Sequence, residues 1–159
     1  LAIPFKSYAQ PLIVMSVIPF AVTGAILGHI VTGYDLSILS IVGIMALLGV
    51  VINDSLVLVD YINKQRAKGV EVFDAIMASG AVRFRPVLLT SITTFAGLAP
   101  LLLDDSTQSE FLKQMAISLG FGILFATAIT LIIVPVNYLL AYNIEHGWLD
   151  YWNREDVRV

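Results

Sequence analysis

The feature that most constrains this chain is a set of long apolar runs that carry almost no charge. The first run covers residues 11–31, and no Asp, Glu, Lys or Arg lies between Lys6 and Asp35. At about 1.5 Å per residue, a helix of that length crosses a hydrocarbon core of about 30 Å. Three further runs cover residues 36–62, 86–103 and 115–142. The spacing therefore predicts four membrane-spanning helices.

Composition supports this fold class and argues against several others. Charged residues make up 13% of the 159 residues and apolar residues 58%, whereas a soluble domain carries about a quarter charged residues. In lipid, backbone N–H and C=O groups must form their hydrogen bonds within the protein, which leaves helices or a closed barrel. Barrel strands are about ten residues long and alternate apolar with polar residues, so these longer apolar runs are helices. The chain is therefore predicted to be an all-α integral membrane protein.

The same totals bear on function. A net charge of −3 does not give the basic face that nucleic acid requires. The absence of cysteine excludes disulfides and thiolate metal sites. No catalytic triad, metal-ligand cluster or phosphate-binding glycine loop is recognisable, so neither an enzyme nor a cofactor is predicted.

The segments between the spans are polar. Residues 63–85 form a basic stretch in which apolar residues recur at helical spacing, which predicts a short cytoplasmic interfacial helix separate from the third span. Pro86 is expected in the first turn of that span, and residues 104–114 are expected to form a polar loop. Residues 1–10 are interpreted as the end of a preceding transmembrane helix and a cytoplasmic turn, which predicts an internal fragment. Residues 144–159 are interpreted as a cytoplasmic tail.

Lysine and arginine are distributed unevenly across the four predicted spans. Eight of the nine fall on one side, and only Lys113 falls on the other. The positive-inside rule then places both termini and the loop 63–85 in the cytoplasm, with Asp35 and the loop 104–114 outside.

Two adjacent polar residues interrupt the second span. Asn53 and Asp54 lie among Gly, Ile, Leu and Val, where an ionised carboxylate is costly unless it is paired or hydrated. Asp54 is therefore a candidate for ion coupling. Two structural alternatives remain open: Asp54 hydrates from the cytoplasmic end, or it caps a break in the helix. Asp60 is expected to form an ordinary ion pair with Lys64 at i+4.

The third span opens with two arginines before its proline and continues with hydroxyl residues on one face. Arg83 and Arg85 are expected to anchor the span at the membrane surface. Thr90 either contributes to a polar site or, as expected for Thr93 and Thr94, bonds to its own backbone. Elsewhere, the small-residue pair Gly24 and Gly28 predicts close helix packing without identifying the partner, and His29 and His146 are expected at opposite membrane interfaces.

Three sequence blocks resemble one transporter family. The block 49–61, Gly-Val-Val-Ile-Asn-Asp-Ser-Leu-Val-Leu-Val-Asp-Tyr, is similar to the tenth transmembrane helix of resistance–nodulation–division (RND) efflux pumps of the hydrophobe/amphiphile type. The block Arg83-x-Arg85-Pro86-x-x-x-Thr90-Ser91 resembles the start of their eleventh helix, and Val134-Pro135-Val136 the end of their twelfth.

The resemblance implies a homotrimeric inner-membrane exporter with twelve helices per subunit, which works with a periplasmic adaptor and an outer-membrane channel. In such pumps an acidic pair on helix four acts with a lysine on helix ten and an arginine and a threonine on helix eleven. Arg83 and Thr90 occupy the last two positions. The lysine position holds Asn53 here, which departs from the family's relay and leaves two alternatives: Asp54 itself titrates, or the partners on helix four differ.

The predicted function is therefore ion-coupled, proton-driven export of drugs or other amphiphilic small molecules by an RND transporter of the bacterial inner membrane, to which this chain contributes four helices. The predicted ion-coupling residues are Asp54, Asn53, Arg83 and Thr90. Two alternatives remain: a structural or assembly subunit whose polar residues only join helices, and a small self-contained four-helix exporter.

Overall fold

The computed structural model describes the backbone of residues 9–155 and the side chains of residues 9–147. Within that range the chain is helical and contains no strand, which confirms the all-α prediction. The helices are α1 (Ala9–Met15), α2 (Ile18–Thr32), α3 (Ile38–Ala67), α4 (Val72–Leu103) and α5 (Thr107–Glu155). The predicted end of a preceding helix falls mainly on residues 1–8, outside the described residues, as do the side chains of Trp148, Tyr151 and Trp152 in the predicted tail.

Four helical stretches are long and apolar enough to cross a membrane, as predicted. They are Ala9–Thr32, Ile38–Ala67, Val72–Leu103 and Thr107–Gly147. The first combines α1 and α2, which are separated by a turn at Ser16 and Val17. Pro19 lies in the first turn of α2 and has no N–H to continue the hydrogen bonding of α1. The Ser16 hydroxyl donates to the Ile13 carbonyl and accepts from the Asn137 amide of α5, so the break is hydrogen-bonded.

The turn between α2 and α3 is short and closed at both ends. Gly33 adopts a left-handed conformation with φ of 75°, which favours glycine, and its N–H donates to the His29 carbonyl. Ser37 and Ser40 then form a reciprocal capping box at the start of α3. These contacts hold α2 and α3 as an antiparallel pair.

The third span differs from the prediction. A separate interfacial helix followed by a span that begins at Pro86 was expected, but α4 is one helix of 32 residues with Pro86 inside it. The stretch at 72–85 is helical and amphipathic, as its spacing indicated. The prediction of a break was wrong because an internal proline removes only one helical hydrogen bond, here to the Val82 carbonyl, which membrane helices tolerate.

The predicted loop at 104–114 is also shorter than expected. Only residues 104–106 are non-helical, because Ser106 caps α5 by accepting from the Ser109 N–H. The Asp104 carboxylate accepts hydrogen bonds from the backbone N–H and hydroxyl of Ser106, and these bonds lower its pKa. Lys113, expected in this loop, lies instead on α5 and pairs with Asp105 at 3.1 Å.

The α5 helix is the centre of the bundle and packs against α2, α3 and α4. Glycines make this packing close. The Gly24 and Gly28 Cα atoms of α2 face Phe125 and Phe121 of α5 so closely that an added Cβ would lie 2.6 Å and 2.5 Å from the phenylalanine Cβ atoms. Gly43 of α3 lies equally close to the Met115 carbonyl. The partner of the small-residue pair is therefore α5.

Candidate functional site

The two polar residues of α3 face different surroundings. Asn53 is exposed on the outer face of the helix, whereas Asp54 is half-buried at the edge of the face that carries Val51 and Leu58 into the core. Among the described residues the ion pairs are Lys64–Asp60 and Lys113–Asp105, and neither involves Asp54. A half-buried carboxylate with no cationic partner within these helices is chemically suited to gain or lose a proton.

Asp60 behaves as the sequence indicated. Its carboxylate lies 2.6 Å from Lys64 Nζ, one turn later on α3, and the Lys64 and Asp60 side chains are 70% and 48% exposed. An exposed pair of this kind contributes about 0–1 kcal/mol to stability. Asp60 is therefore not part of the site.

Arg83 of α4 lies against α3. Its guanidinium carbon is 5.3 Å from the centre of the Tyr61 ring, which is a cation–π contact. The Arg83 Nε atom is buried and has no hydrogen-bond partner among residues 9–147. This unmatched donor distinguishes Arg83 from a simple surface anchor.

The Tyr61–Arg83 contact fixes the register of the antiparallel pair α3 and α4. Asp54 precedes Tyr61 by seven residues, and Thr90 follows Arg83 by seven. Seven residues are nearly two full turns, about 10.5 Å, so each pair lies on one line along its helix. The register therefore places Asp54 and Thr90 at the same depth in the bundle. Both lie two turns farther from the basic loop than the Tyr61–Arg83 contact.

The hydroxyl groups of the third span mostly serve their own helix. Thr90 donates to the Pro86 carbonyl at 2.7 Å, Thr94 donates to Thr90 at 2.8 Å, and Thr93 donates to Leu89. Thr90 is exposed, and its oxygen retains capacity to accept a hydrogen bond. Ser91 turns the other way and bonds to Thr127 of α5.

A polar network near the C-terminal end of α3 was not predicted from the sequence. Asn63 exchanges two hydrogen bonds with Gln10 of α1 (2.8 and 3.1 Å) and accepts a third from the Tyr138 hydroxyl of α5 at 2.7 Å. Arg66 donates to the same Tyr138 oxygen at 3.0 Å and lies over the Tyr142 ring. The network joins three helices near the basic loop, and its residues are too far apart in sequence for spacing to reveal it.

Replacing Asn63 by Leu is expected to destabilise the full-length protein by about 1–3 kcal/mol, because Gln10 and Tyr138 lose partners in a partly buried site. The measurement is the thermal unfolding midpoint in detergent. Lys64→Ala, at the next position, removes only the exposed pair with Asp60 and should leave the midpoint nearly unchanged. Equal midpoints for the two variants would show that the network does not hold these helices.

His29, expected at a membrane interface, lies in the last turn of α2, and its side chain is buried in the bundle, with 3% of its surface exposed. Its Nδ1 lies 3.2 Å from the Tyr34 carbonyl, which can only accept, so Nδ1 carries the proton. Nε2 then accepts from the Ser118 hydroxyl of α5 at 2.8 Å. The neighbouring Gly28 marks the packed face of α2, and that signal could have predicted burial.

Comparisons with known proteins agree with this geometry. Residues 1–142 match the model of the AcrB/AcrD/AcrF family. Two crystal forms of a heavy metal efflux pump have similar structures, each 28% identical to this chain, with TM-scores of 0.76 and 0.78. The matches cover 84% and 87% of this chain and 14% of the pump chain in each case. The chain thus spans a small part of these relatives.

Proposed function

This chain belongs to the AcrB/AcrD/AcrF family, which consists of RND efflux transporters, and on that premise we propose that its helices supply part of the ion-coupling core of a proton-driven exporter. Family membership and four apolar helices point to a multi-pass location in the inner membrane. The coupling ion, the cargo class and the orientation of the transporter in the membrane are our proposals.

The proposal that these helices couple ion movement to export rests on one observation. The α3–α4 register brings the half-buried Asp54 carboxylate and the Thr90 hydroxyl, which can accept a hydrogen bond, to the same depth in the bundle. Asp54 and Thr90 lie beside a face of the bundle that carries the exposed Asn53. No helix of this chain covers that face within the described residues. We propose that a helix from elsewhere in the transporter packs there and completes the site.

Asn53 changes how the site would work. The family's relay has a lysine at this position, whose charge can balance carboxylates on the facing helix. An amide carries no charge to exchange, so we propose that Asp54 itself takes up and releases the transported proton. Arg83 lies two turns nearer the basic loop. Its positive charge would stabilise the ionised Asp54 carboxylate, but from a distance at which Asp54 can still take up and release its proton.

Two cargo classes are supported by different observations. The helix motifs resemble pumps of the hydrophobe/amphiphile type, which favours amphiphilic small molecules. The similar solved structures are of a heavy metal efflux pump, which favours metal ions as the second candidate. The hydrophobe/amphiphile assignment therefore stays a prediction.

A cell-based assay tests the proposed function and separates the two cargos. The full-length gene is expressed in a pump-deficient bacterium, and the accumulation of an amphiphilic dye and of Zn²⁺ and Ag⁺ is measured. Lower accumulation that disappears when the proton gradient is collapsed supports proton-driven export of that cargo. Unchanged accumulation of every probe favours the structural-subunit alternative, and export by these four helices alone favours the small exporter.

The family's general assembly extends the proposal to partners. Transporters of this family form trimers and act with a periplasmic adaptor and an outer-membrane channel. We propose the same assembly for the full-length protein, with the lipid bilayer around its outer faces.

The proposed orientation makes a direct prediction. In intact cells, an impermeant thiol reagent should label a Ser106→Cys variant in the α4–α5 turn and spare an Ala67→Cys variant at the end of α3. The physical reason is the concentration of Lys and Arg beside Ala67. Permeabilised cells, in which both variants should be labelled, provide the control. The reverse pattern in intact cells would overturn the orientation.

A further inference from the structure

A groove lies between α4 and α5 on the outer surface of the bundle. Its volume is about 600 Å³, within the range of about 300–1,000 Å³ found for small-molecule sites. The groove exists because Gly80 and Ala81 on α4 and Ala128 on α5 have small side chains that leave space between the helices. Phe84 and Leu88 of α4 form its apolar walls. The groove is therefore shaped for an apolar group rather than for a polar cargo.

The groove continues into an exposed apolar stripe on the first half of α4. Phe73, Met77 and Phe84 follow each other at helical spacing and are 59%, 60% and 52% exposed. Helical geometry places this stripe on the same face as Leu88, which lines the groove. The apolar surface thus runs from the basic end of α4 into its membrane-spanning part.

Cations border this surface. Arg85 is exposed and lies one helical turn after Ala81, which lines the groove. Neither ion pair of the described region involves it. Arg83 lies on the opposite edge of the stripe. An apolar stripe with arginines at both edges is typical of a helix at the membrane surface, and basic pockets between helices bind anionic headgroups.

We propose that the α4–α5 groove binds an anionic phospholipid of the cytoplasmic leaflet. Arg85 binds the phosphate, and one acyl chain lies deeper in the membrane along Leu88 and Ala128. This proposal rests on the proposed orientation, which puts the basic end of α4 in the cytoplasm. A protein helix would fill the groove but would leave the Arg85 charge unmatched in lipid, and for that reason the lipid is the favoured occupant.

The test measures lipid retained by the purified full-length protein with native mass spectrometry, using phosphatidylglycerol as the probe and phosphatidylcholine as the uncharged comparison. We expect Arg85→Ala to reduce phosphatidylglycerol affinity about fivefold, because one cation near an anionic surface contributes that much. Ala128→Phe should fill the groove and remove one bound lipid per protomer.

Matched variants keep the test specific. Lys68→Ala removes another exposed cation away from the groove, and Ala46→Phe adds the same ring to an exposed position on α3. Both should retain the lipid. Asp54→Asn should also retain it, so a failure of the coupling proposal stays separate from a failure here. The proposal is overturned if Ala128→Phe binds phosphatidylglycerol like the parent, or if Arg85→Ala and Lys68→Ala weaken it equally.

Discussion

Replacing Asp54 by Asn is expected to reduce cargo export by the full-length transporter to the level of a pump-deficient cell. The amide keeps the size and polarity of the side chain but cannot take up and release a proton. One charge crossing 100 mV gains about 2.3 kcal/mol, enough to sustain a cargo gradient of about 50-fold, and that gradient should be lost. The measurement is cargo accumulation at matched expression, with membrane insertion and trimer formation checked separately.

Thr90→Ala provides a graded comparison for the same assay. Its effect should be smaller, because water can replace a hydroxyl in a hydrated path. Lys64→Ala, which breaks only the exposed pair with Asp60, should export like the parent. If Asp54→Asn also exports like the parent, then Asp54 is a structural residue and ion coupling belongs to other parts of the transporter.

The second large effect concerns the contact between α2 and α5. In a double variant Gly24→Ala/Gly28→Ala, each added methyl group would lie within 2.6 Å of a phenylalanine Cβ. A Cβ atom is fixed to its backbone, so the two helices must separate. Overpacking costs about 1–3 kcal/mol per site, which together is a large part of a typical folding free energy of about 5–15 kcal/mol. We expect little folded protein in the membrane and a lower unfolding midpoint.

The control for this prediction is the double variant Gly49→Ala/Gly97→Ala. It makes the same chemical change and raises helix propensity equally, but nothing lies within 4 Å of either added methyl group. It should accumulate like the parent. Similar losses in the two double variants would mean that α2 and α5 are not held together by these glycines.

The sequence predicted the number of spans because lipid leaves a chain little choice. Backbone groups must bond within a helix, so uncharged runs identify spans regardless of how they pack. Helix ends were harder to predict. Pro86 looked like a helix start, but the apolar stripe continues through it, and the cost of one lost hydrogen bond does not end a helix that is otherwise stable.

The candidate site could be predicted only in part. Asp54 was identifiable because a carboxylate between apolar residues is unusual in a span. Its relation to Thr90 required the register, which depends on the Tyr61–Arg83 contact between helices. The Asn63 network combines residues from three helices, and no local pattern encodes such a combination.

If Asp54 carries the transported proton, proton movement into proteoliposomes must depend on its carboxylate. The purified full-length transporter is reconstituted with a pH-sensitive dye inside the vesicles, a pH gradient is imposed, and the transported cargo is added. We predict that adding the cargo starts a proton flux across the vesicle membrane in the parent and in Lys64→Ala. In Asp54→Asn the proton flux should not exceed that of vesicles without protein. A proton flux in Asp54→Asn equal to that of the parent would contradict the claim.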